Sequence, residues 1–289
     1  MTETTRATER SDDEPQADGE HAEQDKRDEQ LVKEAESLDA RSTYEVIRRE
    51  GKKELERSTA ALFWSGLAAG LSMGFSFMGE GLLYAYLPDA PWRPLVAALG
   101  YTTGFLVVVL GSQQLFTENT LTPIIPLLSR RTRHCLRNVL RLWGAVLVAN
   151  LIGALVFATM LGRFDVVTPE AQRALSTLAA KAMSHDFATT VLHGVYAGWL
   201  IALMVWMLPG AETAKFSVIV VMTYFVGLGG FAHVIAGASE VFYAAVRGEA
   251  SWGMAVGGYV LPALIGNVLG GLTMVAALNH AQATSGEDD

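Results

Sequence analysis

Between Thr59 and Ala281 the chain holds six apolar segments, roughly 60–87, 94–128, 138–162, 187–208, 215–246 and 252–280. A helix of about 20 apolar residues matches the roughly 30 Å hydrocarbon layer of a bilayer. A soluble domain has little use for several such runs. The pattern predicts an all-α polytopic membrane protein with six transmembrane helices.

Charge is concentrated outside these segments. Residues 1–58 carry 18 Asp/Glu and 11 Lys/Arg, residues 59–281 carry 9 and 11, and the sequence ends in Glu287-Asp288-Asp289. The formal charge of −8 therefore belongs to the tails and says little about a substrate. Three parts follow: an acidic tail over 1–58, a membrane domain over 59–281 and a short tail over 282–289. Residues 1–27 lack large apolar side chains and are expected to be disordered. Leu31, Ala35 and Leu38, then Tyr44, Ile47 and Leu55, recur thinly among charges. That pattern predicts an amphipathic surface helix or a solvated lead-in. The polar opening is not a cleavable signal peptide, so the first span is expected to direct insertion. A single cysteine, Cys135, excludes an intrachain disulfide and a metal site of several thiolates.

Basic residues orient the spans. Arg41, Arg48, Arg49, Lys52, Lys53 and Arg57 precede the first. Arg130, Arg131, Arg133, Arg137 and Arg141 crowd the second connection, and Lys215 joins them. The opposite side has Arg93, Arg163, Arg173, Lys181 and Arg247. The positive-inside bias places both termini in the cytoplasm, and an even number of crossings agrees.

Two segments are expected to be broken. The second is interrupted by the polar run Gly111–Thr120, followed by Pro123 and Pro126. The fifth contains Gly227, Gly229, Gly230 and Gly237 around Phe231-Ala232-His233. Irregular backbone at membrane depth is tolerated only where protein or a wet cavity satisfies it. The halves also echo each other. Asn150-Leu-Ile-Gly153 recurs as Asn267-Val-Leu-Gly270, and Gly66-Leu-Ala-Ala69-Gly70 as Gly194-Val-Tyr-Ala197-Gly198. Three spans per half force opposite orientations, so the expected layout is two inverted three-helix repeats, about 59–163 and 186–281.

Ionisable residues inside spans point to function. His233 lies within the fifth segment's break, where an imidazole can donate a hydrogen bond to an anion or a proton to a weak-acid anion. A neutral histidine bonding loop carbonyls explains the same residue. Thr117, in the other break, offers an uncharged hydroxyl, or merely bonds the helix. His193 reads as packing or interfacial, and His280 as terminal.

Leu115-Phe116-Thr117-Glu118-Asn119-Thr120, Asn150-Leu-Ile-Gly153-Ala-Leu-Val-Phe157, Leu203-Met-Val-Trp206-Met, Gly230-Phe231-Ala232-His233 and Gly266-Asn267-Val-Leu-Gly270-Gly271 together resemble the formate/nitrite transporter family. Within it they are nearest to the YfdC-type branch. The resemblance covers about 60–280. It implies an aquaporin-like protomer in a homopentamer, each protomer with its own pore in a bacterial or archaeal inner membrane. Small monovalent anions or their conjugate acids would be the permeants. No nucleophile–base pair, phosphate loop or metal-ligand spacing appears in the sequence, so no cofactor, metal, nucleic acid or enzymatic activity is expected. Thr117 and His233 match the family's facing loop threonine and central histidine. Tyr101 and Phe105 fall at apolar constrictions on the second helix. On the fifth, the constriction is Phe225 if one residue is inserted before His233, and Val226 without a gap; Phe225 is the expected one.

The sequence also departs from the family. Formate channels read Gly-Phe-Glu-His with an asparagine four residues later, where this chain has Ala232 and Gly237. Glu118, beside Asn119, and Glu240 flank the expected centre instead. Ionised carboxylates beside a pore repel anions, so these two are protonated, turned away, or matched to a different permeant. A neutral-solute pore for water, glycerol or ammonia and a non-transporting scaffold or sensor remain the competing readings. The first lacks the paired Asn-Pro-Ala loops of an aquaporin.

Overall fold

A computed structural model of the protein describes residues 40–277 and Ala281. The expectations for residues 1–27, for Leu31, Ala35 and Leu38, for His280 and for the tail 282–289 lie outside the described residues. The described chain is helical throughout. Its first helix, α1 (Ala40–Glu56), is amphipathic and buries Thr43, Tyr44, Ile47, Gly51 and Leu55 at helical spacing. It docks on protein: Tyr44 Oη meets Ser129 Oγ at 2.9 Å, and Arg141 donates to the carbonyl of Leu55 at 2.9 Å.

The membrane domain then runs through α2 (Thr59–Tyr86), α3 (Arg93–Leu110), a 3₁₀ turn (Glu118–Thr120), α4 (Ile124–Arg130) and α5 (Arg133–Arg163). It continues through α6 (Pro169–Ala182), α7 (Phe187–Met207), α8 (Lys215–Leu228), α9 (Val234–Val246) and α10 (Leu261–Leu269). Two π-helical stretches, Met254–Val260 and Gly270–Ala277, flank α10. Among the described residues, five helical stretches are long and apolar enough to cross a membrane; α8 and α9, with 14 and 13 residues, are each too short alone.

Two local features depart from the sequence expectation. Helix α5 begins at Arg133, not near 138, because Thr132 caps it by accepting the Cys135 N–H. Helix α6 was not anticipated. Thr168 caps it, Pro169 occupies its first position, and Ala171, Ala174, Leu175, Leu178 and Ala179 form its buried stripe; α6 packs on α2 and α9.

Apolar burial alone does not hold such a bundle together, because lipid tails are as apolar as leucine. Close approach of small residues and internal hydrogen bonds take over. Helix α2 packs on α3 and α5, and α7 on α10. A side chain on Gly70 would run into the backbone of Asn150, and one on Gly198 into the backbone of Asn267. Both positions tolerate only glycine. Large apolar side chains such as Val148, Ile152, Met160, Leu192 and Val221 are left on the outer surface, which suits an apolar surrounding.

Candidate functional site

The site is built where two helices stop. Helix α3 ends at Leu110, and Ser112 takes a left-handed conformation with φ 50°. Helix α8 ends at Leu228, and Gly230 does the same with φ 61°. Each break leaves backbone groups that the helix no longer pairs, and at membrane depth such groups have to be satisfied by protein or by a wet cavity. An asparagine answers each. Asn150 Nδ2 donates to the carbonyls of Gly66 (2.7 Å) and Gln114 (2.9 Å), while its Oδ1 accepts the Phe116 N–H at 2.9 Å. Asn267 Nδ2 donates to the carbonyls of Gly194 (2.9 Å) and Ala232 (2.8 Å), and its Oδ1 accepts the Val234 N–H at 2.8 Å. The two asparagines thus tie corresponding glycines to corresponding loop groups, with Leu115 held in one clip and His233 in the other.

The breaks meet at one hydrogen bond. Thr117 Oγ1 and His233 Nε2 lie 2.7 Å apart, and neither residue is exposed. The direction of that bond follows from the other ring nitrogen. His233 is the N-cap of α9, and its Nδ1 accepts the backbone N–H of Ala236 at 3.1 Å. Ser58, Thr132, Thr168 and Asp186 cap α2, α5, α6 and α7 in the same way, each accepting the N–H three residues on. A nitrogen that accepts an N–H carries no proton. His233 is therefore the neutral tautomer with its proton on Nε2, donated to Thr117 Oγ1. The threonine keeps its own hydroxyl proton for a further acceptor.

Aromatic residues seal one side of the pair. The Phe105 ring stands edge-on to the imidazole at 4.9 Å, and Tyr101 lies 5.6 Å from Phe105. Both are buried. Past them opens a cavity of about 130 Å³, lined by Tyr101, Val226, Ala232, Glu80, Glu240, Lys181, His185, His193 and Tyr259 among others. His193 Nδ1 donates to the Gly230 carbonyl at 3.2 Å, holding the second break from this side. The place of Gly237 is explained here too: Tyr259 Oη fills the space that a side chain on Gly237 would need.

On the other side, the first break faces α1. Gln114 donates to Glu54 at 3.0 Å, and Asn119 donates to Gln114 Oε1 and the Leu115 carbonyl, both at 3.0 Å. Trp143 Nε1 closes the set on the Asn119 carbonyl at 2.8 Å. Asn119 thus shapes the loop. The Glu118 carbonyl accepts from the Leu121 and Thr122 amides, whereas its carboxyl Oε1 is buried without a hydrogen-bond partner.

Of the residues singled out in the sequence, Thr117, His233 and Phe105 come together, with Tyr101 beside them, and Glu240 reaches the adjoining cavity. Phe225 does not. It is 53% exposed on the outer face of α8, while Val226 is fully buried and lines the cavity. One residue turns a helix by about 100°, so the ungapped alternative is the one that faces inward. Glu80, Lys181, His185 and Tyr259 were not singled out. Among the described residues no group of three or more His, Cys, Asp or Glu is clustered for a metal ion.

A chain of membrane-crossing helices with two clipped breaks around a buried Thr–His pair has the form of a membrane transporter or channel. Residues 41–281 match the family described as "Formate/nitrite transporter", and the chain belongs to that family. It is 38% identical over 243 residues to "Inner membrane protein YfdC" of Escherichia coli (strain K12), covering 84% of this chain and 78% of that one. Among solved structures it resembles an "FNT family ion channel", with TM-score 0.72 and 20% identity over 84% of this chain and 98% of that one. It also resembles a "Pentameric formate channel with formate bound", with TM-score 0.64 and 19% identity over 78% and 97%.

Proposed function

We propose that this chain is an inner-membrane channel for small monovalent anions or their conjugate acids, assembled as a homopentamer with one pore per protomer. Each protomer would consist of two inverted three-helix repeats, α8 and α9 together making the fifth of six crossings, with both termini cytoplasmic. The matching clips at Asn150 and Asn267 support the repeat. The pentameric formate-bound channel of similar fold supports the assembly and the substrate class.

The observation that carries the reading is the Thr117–His233 hydrogen bond, 2.7 Å long and wholly buried where both broken helices meet. In this reading Tyr101, Phe105 and Val226 strip water from the permeant. His233 Nε2–H and the free Thr117 hydroxyl proton then offer two adjacent donors. Because the Nδ1 cap fixes the neutral imidazole, the histidine acts first as a hydrogen-bond donor and carries no charge until the cap is given up. Asn119 shapes the threonine loop, and the carboxyls of Glu118 and Glu240 flank the pair on opposite sides.

Flux of formate, nitrite, acetate, lactate and hydrosulfide into proteoliposomes at two pH values tests the proposal. We expect uptake of at least one weak-acid anion, with a pH dependence that His233→Asn alters. An unchanged pH profile with intact flux in that variant would remove the histidine from the mechanism.

A further inference from the structure

From Leu142 to Gly162 helix α5 runs for 21 residues without an ionisable side chain, between Arg141 and Arg163. At 1.5 Å per residue that is about 31 Å, close to the hydrocarbon thickness of a bilayer. Arg141 therefore stands where hydrocarbon gives way to headgroups. Arg133, Arg137 and Arg141 follow one another at four-residue spacing, on one face of the helix. Towards the middle of α5 the same face continues through Gly144, Val148, Ile152 and Leu155, all exposed. Space is open at Gly144, where an added side chain would meet nothing within 4 Å. A charged end and an apolar length on one face match the build of a membrane lipid.

Between the charged end and the junction of α1 with α2 lies an open cleft of about 420 Å³, lined by Leu55, Glu56, His134, Arg137, Asn138 and Arg141. Two guanidinium groups thus face one carboxylate, and the start of α5 adds the positive end of its dipole. Arg48, Arg57, Arg93, Arg173 and Arg247 each hold a carboxylate at 2.6 to 3.0 Å. Arg137 and Arg141 have no such partner among the described residues. Arg141 gives its two Nη groups to neutral oxygens, Thr59 Oγ1 at 3.3 Å and the Leu55 carbonyl at 2.9 Å. Its Nε is buried with no hydrogen-bond partner. Arg137 is exposed and makes no hydrogen bond with another described residue.

We propose that this cleft holds the phosphate of an anionic membrane lipid, whose acyl chains lie along Gly144, Val148 and Ile152. Basic pockets between helices at the membrane surface recognise anionic headgroups, and the guanidinium fork suits phosphate oxygens. Arg141 is fixed at the rim by the α1–α2 junction, while Arg137 is free to close on the ligand. Glu56 opposes the phosphate, so its charge weakens the site. The inference depends on the chain crossing a membrane and not on what the pore carries.

The test is a native mass-spectrometry titration of the full chain in detergent with dioleoylphosphatidylglycerol and dioleoylphosphatidylcholine, which share acyl chains and a phosphate but differ in net charge. We expect the anionic lipid to bind roughly fivefold or more tightly than the zwitterionic one. Arg137→Gln should weaken the anionic lipid roughly fivefold and leave the other unchanged. Lys52→Gln, an exposed cation on α1 outside the cleft, should behave like the parent, and Glu56→Gln should bind the anionic lipid more tightly. Arg141→Gln also removes two bonds to the α1–α2 junction, so Arg137→Gln, whose side chain bonds nothing, is the deciding variant. No preference between the two lipids, or a loss in Arg137→Gln no larger than in Lys52→Gln, overturns the proposal. Displacement of the bound lipid by an equal concentration of inorganic phosphate would mark a site for the free anion and overturns the lipid assignment.

Discussion

The two helix breaks share a frame and differ in almost everything else. In each, a left-handed residue (Ser112, Gly230) is followed two positions later by a carbonyl given to an asparagine. Two further on, an amide is received by the same side chain. The residue between is Leu115 in the first break and His233 in the second. The first break is long, winds through a 3₁₀ turn before α4, and is braced from α1 through Glu54. The second re-forms helix at once, because His233 is itself the cap of α9. A clip used twice therefore carries chemistry that is used once. The backbone problem of breaking a helix in lipid has one solution used twice, and the free position inside that solution is where a titratable group was placed once.

The largest effects come from breaking the shared frame. Asn150→Leu and Asn267→Leu each strand two carbonyls and one amide, costing on the order of 1–3 kcal/mol per group. Both should lose most folded protein, read as thermal unfolding in detergent; a large loss in only one would show that the clips are not equivalent. Next, Gly70→Ala and Gly198→Ala push α2 from α5 and α7 from α10. Overpacking of this kind costs about 1–3 kcal/mol, and the two variants should lower the unfolding temperature alike. A difference of chemistry is tested at the caps. His233→Leu should cost about 1 kcal/mol as a lost cap, whereas His233→Asn keeps a good capping residue and should unfold like the parent while altering the pH profile of flux. The left-handed positions should respond in opposite senses. Ser112→Gly should stabilise by about 0.5–1 kcal/mol, since glycine adopts φ 50° without steric cost. Gly230→Ala should destabilise by about 1–2 kcal/mol.

Much of this frame was legible in the sequence. Polar and glycine-rich runs inside otherwise apolar spans announced both breaks, and the repeated Asn-x-x-Gly motif marked the two clips. What the motif did not disclose was the work the asparagines do, because a sequence does not say which loop lies opposite which helix. The cavity was illegible for the same reason: Glu80, Lys181, His185, His193, Glu240 and Tyr259 are scattered over 180 positions and meet only in three dimensions. Helix α6 could have been read. Thr168-Pro169-Glu170 ahead of an apolar stripe is a start signal, and the Glu170 carboxyl, held below the usual carboxylate range chiefly by its own backbone N–H, shows that start at work. Phe225 and Val226 differ only by whether one residue is inserted before His233; burial follows helix phase, and a one-residue slip exchanges inside for outside.

The asparagine clips also impose an order in time. Asn150 reaches back 84 residues to Gly66 and 36 to Gln114, and Asn267 reaches back 73 to Gly194 and 35 to Ala232. During synthesis, the break after α3 remains short of hydrogen-bond partners until α5 has entered the membrane. The break after α8 waits in the same way for α10. Each half of the protein thus becomes complete only with its final helix, and a chain stopped just before Asn150 would leave the membrane holding a loop that nothing yet satisfies.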